Sequence, residues 1–213
     1  MRKKKLIESP FSISISDLMA ALLLLFMLLT MSLMYELSKT VEVKSRVYKL
    51  LDEKLKAAGL ETDIDSRSGT ISIADTILFE SNRSYLKSGS KQFLNKLTPI
   101  LAEVLCSEKE IADEIYAIDI EGYSSERGRK DQHMMDLSLD RAQSVWNYIY
   151  SLNRIPYRKQ FLSKIKVCGW GNMRASHWRD LQKDRKVVFQ LQFKGTMEKL
   201  ESALAEKGFT KAR

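Results

Sequence analysis

The sequence predicts an α/β fold, an α+β sandwich of order βαβαββ preceded by one transmembrane helix. Three observations carry this. An uncharged run rich in Leu and Met lies near the N-terminus. Segments of period 2 and period 3.6 alternate between residues 70 and 193. A polar, helix-prone stretch without Pro or Gly, residues 36–58, joins the two parts.

The apolar run comes first. Leu18 to Tyr35 reads LMAALLLLFMLLTMSLMY, and adding Phe11 to Ser16 makes it long enough to cross a membrane. About 20 residues span a hydrocarbon core of about 30 Å. A secretory signal fits less well: the run is longer than a usual signal core, and no small-x-small cleavage site precedes Glu36. Arg2, Lys3, Lys4 and Lys5 flank its first end, which predicts a cytoplasmic N-terminus and a chain emerging on the far side of a bacterial inner membrane. Lys39, Lys44, Arg46 and Lys49 on the far side reduce that contrast.

Asp17 stands at the cytoplasmic end of the run, with no cation inside the run to pair with. A carboxylate there costs up to about 3 kcal/mol, and such residues usually face protein or water on an ion pathway. Ala20 and Ala21, at i+3 and i+4, give its face the small side chains that let another helix approach. The alternative is an interfacial helix N-cap following Ser14 and Ser16.

The expected organisation is a basic tail over 1–10, the span over 11–35, a helical linker over 36–60, a folded domain over 61–195 and an amphipathic tail over 196–213. In the linker, Leu37, Val41, Tyr48, Leu51 and Leu55 follow a loose heptad that could form a short dimeric stalk, and Gly59 reads as a C-cap. Within the domain, Thr70–Ala74 alternates as a strand. Residues 89–105 show helical spacing at Phe93, Leu94, Leu97, Leu101 and Leu105. Residues 115–120 alternate again and stop at Gly122. Residues 137–152 carry an apolar face of Ala142, Val145, Trp146 and Ile149, and 165–168 and 187–193 supply two last strands. This order predicts helices on one face of a mixed sheet.

Composition narrows the function. The net charge of +8 is spread along the chain, with Arg2 to Lys5 its only dense run, and no nucleic-acid motif is present. Cys106 and Cys168, with His133 and His177, make no zinc-ligand set; the two thiols either pair or stand independently. There is no G-x-S-x-G elbow, phosphate loop or dinucleotide signature, and Gly169-Trp170-Gly171 alone means little. No enzyme, catalytic residue, cofactor or metal is expected.

Two resemblances sharpen this. Ile118-Asp119-Ile120-Glu121-Gly122-Tyr123, then Asp136 to Val145 (DLSLDRAQSV), Gly169-Trp170-Gly171-Asn172 and Asp184-Arg185-Lys186-Val187-Val188-Phe189 resemble the ordered landmarks of the OmpA family of peptidoglycan-binding domains, over roughly residues 70–193. Ser9-Pro10-Phe11 and Ile15-Ser16-Asp17-Leu18-Met19-Ala20-Ala21 are similar to the start of flagellar stator B subunits of the MotB type, and more closely to the B subunit of the Zorya anti-phage system. The second resemblance implies two copies at the centre of a ring of a multi-span A-type partner, with Asp17 carrying a transported proton or sodium ion. The first implies a wall-binding site at Tyr123, Ser125, Glu126, Leu137, Arg141 and Arg185. In the family an Asp and the Arg of the Arg-Ala step hold the charged ends of diaminopimelate. Here Arg141 is present, Ser125 takes the Asp position with Glu126 beside it, and Met134 stands where the family usually has Asn.

The expected function is thus an ion-conducting, wall-anchored stator subunit of a rotary motor, in anti-phage defence. The short linker and the nearer N-terminal match favour that over a flagellar-type stator. Other readings are a passive peptidoglycan tether, an energiser of the ExbD or TolR kind, which lacks the OmpA-like landmarks, and a secreted accessory protein, which requires cleavage after the apolar run.

Overall fold

This computed structural model describes residues 10–124, 131–173, 185–195 and 198. The basic start, Ser125, Glu126 and most of the C-terminal tail lie outside the described residues. The chain forms two compact units, residues 1–42 and 43–213.

In the first unit a helix, α1 (Pro10–Ala57), begins at a proline. Proline suits a first helical position, because its fixed φ is already helical and the N–H it lacks would have no partner there. Within α1 lies the one described segment long and apolar enough to cross a membrane, and its apolar window has no buried residue. The hydroxyl of Thr30 donates to the Met27 carbonyl at 2.9 Å, so this polar group in the span is satisfied within the helix. Asp17 lies seven residues past the helix start, about 10 Å along at 1.5 Å per residue. An N-cap sits at the helix start, so the capping alternative falls away: Asp17 is an exposed residue in the interior of an apolar helix.

The second unit is built on a five-stranded sheet of order β1-β2-β5-β3-β4. Its strands are β1 (Asp63–Asp65), β2 (Thr70–Ala74), β3 (Ile115–Tyr123), β4 (Ile165–Gly169) and β5 (Lys186–Phe193). Only β3 and β4 pair in parallel, giving the mixed sheet that the sequence predicts. The helices are α2 (Asp75–Leu78), α3 (Ser88–Cys106), α4 (Lys109–Glu114), α5 (Asp131–Ser151) and α6 (Arg158–Ser163). All six expected strands and helices are present with ends moved by a few residues. The elements not foreseen, β1, α2, α4 and α6, have three to six residues each, too few to display a period.

One core joins the helices to one sheet face. It holds Ile71, Ile73, Ile118, Ile120, Val187, Phe189 and Leu191 from the strands, Leu94, Leu97 and Leu101 from α3, and Ala142, Val145 and Ile149 from α5. The end of α1 belongs to the same core. Val43, Val47, Tyr48, Leu51 and Leu55 are 0–3 % exposed, so much of the segment read as a linker is part of the domain. A spacing of four along a helix sets these side chains on one face, and the domain fills the lower half of the seam read as a dimeric stalk. Arg46 pairs with Glu110 at 2.9 Å and Glu108 at 3.2 Å, and Lys54 with Glu103 at 3.0 Å. Gly59 ends α1 with φ +67°, as a left-handed C-cap requires. Both cysteines are free thiols.

Candidate functional site

The site lies where β2, β5 and β3 end together. Ala74 pairs with Lys186, and Lys186 with Tyr123, so Asp75, Arg185 and Ser124 leave the same end of the sheet. Backbone contact locks that end: the Asp75 N–H donates to the Arg185 carbonyl at 3.2 Å, the Trp170 N–H to Gly122 at 3.0 Å, and the Ser124 N–H to Gly171 at 3.0 Å.

Helix α5 lies directly on these strand ends. A Cβ placed on Gly122 would stand 1.9 Å from the Ser138 carbonyl oxygen, and one on Gly169 2.7 Å from the Leu139 nitrogen. Only glycine allows so close an approach. The Gly171 N–H donates to Ser138 Oγ at 2.8 Å, and that hydroxyl donates to the Met135 carbonyl at 2.8 Å. The Gly-Trp-Gly step, uninformative in sequence, is therefore the seat of α5.

Seated this way, α5 delivers Arg141 into the protein. The residue is 1 % exposed. Its Nη1 lies 3.3 Å from Asp75 Oδ2, its Nε donates to the Arg83 carbonyl at 3.1 Å, and its guanidinium sits 5.4 Å from the centre of the Phe79 ring. Arg185 Nε approaches the same Asp75 oxygen at 3.7 Å. One carboxylate thus faces two guanidiniums. Burial pushes the Asp75 carboxyl up from its ordinary pKa, while Arg141 and Arg185 pull it back down.

The expected site residues separate into groups. Arg141 and Arg185 come together through Asp75, and Leu137, 9 % exposed, sits one turn before Arg141 on α5. Tyr123 does not join them. The strand register puts it on the sheet face opposite the core, where its hydroxyl donates to Glu121 at 2.6 Å and Lys186 lies 5.7 Å from its ring centre. Ser125 and Glu126 lie outside the described residues, and Asp17 belongs to the other unit. Asp75 escaped sequence reasoning. Its one signal was a carboxylate directly after a strand, and only the pairing of β2 with β5 shows that this strand ends beside Arg185.

The face that carries Tyr123 also buries Asp119, which is 6 % exposed and bonded to Gln192. Desolvation raises its pKa, Lys166 opposes this, and Glu121 adds to it. A carboxyl with a raised folded pKa contributes fully below its unfolded pKa, and that contribution is lost as pH rises through the folded value. Asp119→Asn, which imitates the protonated form, is expected to stabilise the protein at pH 8. The gain should vanish as pH falls toward about 3.9, the unfolded value. Urea midpoints of both proteins across that range check it.

Three comparisons place the chain among known proteins. The profile described as "OmpA family" matches residues 78–187. No curated protein sequence matches the chain. Among solved structures, a MotB-like protein from Desulfovibrio vulgaris is similar at 17 % identity and a TM-score of 0.56, covering 74 % of this chain and 96 % of that one. The cell wall anchor of the T6SS from Pseudomonas aeruginosa is similar at 14 % identity and a TM-score of 0.47, over 70 % of this chain and 97 % of that one. The periplasmic domain of Helicobacter pylori MotB (residues 78–256) is similar at 14 % identity and 0.47, over 70 % and 92 %. With the family profile spanning more than half of its 213 residues, from the end of α2 to the start of β5 and including Arg141, the chain belongs to the OmpA family.

Proposed function

We propose that this protein is the wall-anchored, ion-conducting stator subunit of a membrane rotary motor, serving anti-phage defence. The observation that carries the reading is a carboxylate two turns past the start of α1, at the cytoplasmic end of its apolar run, on a chain whose remaining unit is an OmpA-family domain. A passive tether needs an anchor and a wall-binding domain; it does not need an acid inside the anchor.

In this reading two copies place their spans within a ring of a multi-span partner. Among the described residues no side chain of the apolar window is buried, which leaves its surface to lipid or to partner helices. Asp17, with Ala20 and Ala21 on its face, alternates between ion-bound and ionised states, changing its attraction to the partner at each step. A potential of about 100 mV supplies about 2.3 kcal/mol per elementary charge moved. The domain holds peptidoglycan, so the partner turns while this subunit stays fixed. The stem peptide would meet the protein at the Arg141 end of the sheet, and the N-terminal Ser-Pro-Phe and Ser-Asp-Leu-Met likeness supports defence over propulsion.

Asp17→Asn tests it, because Asn keeps the size and hydrogen bonding and removes the titratable charge. In cells carrying the neighbouring operon, phage protection is expected to disappear while membrane insertion and assembly persist. Full protection by the variant would leave a passive tether as the better account.

A further inference from the structure

The end of α1 and the edge strand β1 enclose a cleft of about 430 Å³. It lies toward the start of β2, at the opposite end of that strand from Asp75 and the Arg141 pair. Tyr48, Lys49, Asp52 and Lys56 of α1 line one wall, and Ile64 and Ser66 the other. Tyr48, Asp52 and Lys56 follow at intervals of four and so share one face of the helix, with Lys49 beside them. The volume falls within the range of about 300–1,000 Å³ usual for small-molecule sites.

Tyr48 makes this more than a surface groove. It is 3 % exposed, the one buried residue among those that line the cleft, and its ring packs 6.2 Å from that of Phe193. Its hydroxyl is buried with no hydrogen-bond partner among the described residues. Buried tyrosine hydroxyls are normally partnered, because an unmade bond there costs free energy. The surroundings supply room and no acceptor. A Cβ on Gly69 would stand 2.9 Å from the hydroxyl, and the nearby Gln190 Nε2 is itself a donor, bonded to the Ser68 carbonyl at 2.9 Å. Burial, and then Asp65, push the phenol up from its ordinary pKa, so it stays a neutral donor.

The charges beside that donor select the ligand. Lys56 is held by Asp52 at 2.7 Å, whereas Lys49 makes no ion pair among the described residues. Two ammoniums against one carboxylate leave the lining with a net positive charge, which favours an anion. Asp52 would repel an anion that brought no donors of its own, so the ligand must carry hydroxyls as well. Tyr48 and Asp52 stand at i and i+4, about 5–6 Å apart at their Cβ atoms, a gap that a short polyol chain bridges. We propose that the cleft binds a phosphate ester of a small polyol, of the glycerol phosphate type. The phosphate accepts from the Tyr48 hydroxyl and the Lys49 ammonium, and the polyol hydroxyls donate to Asp52.

Calorimetric titration of the full chain in a neutral detergent tests this with glycerol phosphate, inorganic phosphate and glycerol. Glycerol phosphate should bind saturably and more tightly than either of the others. Tyr48→Phe and Lys49→Gln should each weaken it about tenfold or more, the worth of a hydrogen bond to a charged group. Asp52→Asn should weaken glycerol phosphate and not inorganic phosphate. Without ligand, Tyr48→Phe should melt no lower than the parent, because it removes a hydroxyl that has no partner. Absence of saturable binding would overturn the proposal, and so would equal binding by the Tyr48→Phe and Lys49→Gln variants. A lower melting midpoint for Tyr48→Phe would overturn it too, by giving the hydroxyl a partner inside the fold. Nanodiscs then separate two sources of the ester. Binding kept in phosphatidylcholine discs and lost in phosphatidylglycerol discs makes a lipid head group the occupant, and equal binding in both makes it a free ester.

Discussion

Asp75→Ala is expected to destabilise the domain by about 3–5 kcal/mol, the usual cost of leaving one member of a buried ion pair without its partner. The side chains of Arg141 and Asp75 are 2 % and 6 % exposed, so water cannot replace the lost carboxylate. Arginine cannot escape by releasing its proton, and Arg185, whose Nε lies 3.7 Å from the same carboxylate oxygen, loses that countercharge too. The Phe79 ring and the Arg83 carbonyl still attract the guanidinium, each more weakly than a carboxylate does. Urea unfolding of the full chain in detergent measures the loss. Adding Arg141→Met to Asp75→Ala should return much of it, because the guanidinium that lost this carboxylate goes too, and the non-additivity isolates the pair. Binding to isolated peptidoglycan separates the wall-binding role from the structural one. Arg141→Lys keeps the charge and loses the planar fork that grips a carboxylate. If Arg141 meets the stem peptide, that variant should bind at least about tenfold more weakly even where it remains folded. Equal binding would confine Arg141 to its pair with Asp75.

Gly122→Ala should be as damaging, by about 3 kcal/mol or more, through geometry alone. The added methyl would stand 1.9 Å from the Ser138 carbonyl oxygen and 2.8 Å from its carbon, both backbone atoms inside α5. No rotamer relieves such a contact. The helix must lift from β3, and lifting it loosens the Gly171–Ser138 hydrogen bond and withdraws Arg141 from Asp75. Gly59→Ala serves as the comparison, since nothing lies within 4 Å of its added methyl; with φ +67° it meets only local backbone strain of about 1 kcal/mol. A thermal unfolding series should rank Gly122→Ala far below Gly59→Ala. Similar midpoints would mean that α5 is not seated as described.

What the sequence determined alone were the features that a local pattern can encode. An uncharged run of sufficient length defines a span, because the bilayer admits little else. Periods of 2 and 3.6 mark the longer strands and helices, because side chains must point toward one core. Asp17 is visible as the acid in an apolar run, and Arg141 through the family pattern around it. Tertiary structure decided whatever depends on two distant segments meeting. The heptad-like spacing of Tyr48, Leu51 and Leu55 suits a stalk or a core face equally, and only packing assigns it to the core. Gly122 and Gly169 read as strand ends until α5 is laid on them. Tyr123 and Arg141 share a family motif, yet the alternation of β3 sends them to opposite sides of the sheet. Asp75, 66 residues before Arg141, has no local mark as its partner. Its role arises because the register of β2 on β5 brings a carboxylate and two guanidiniums to one buried point, where each charge requires the others.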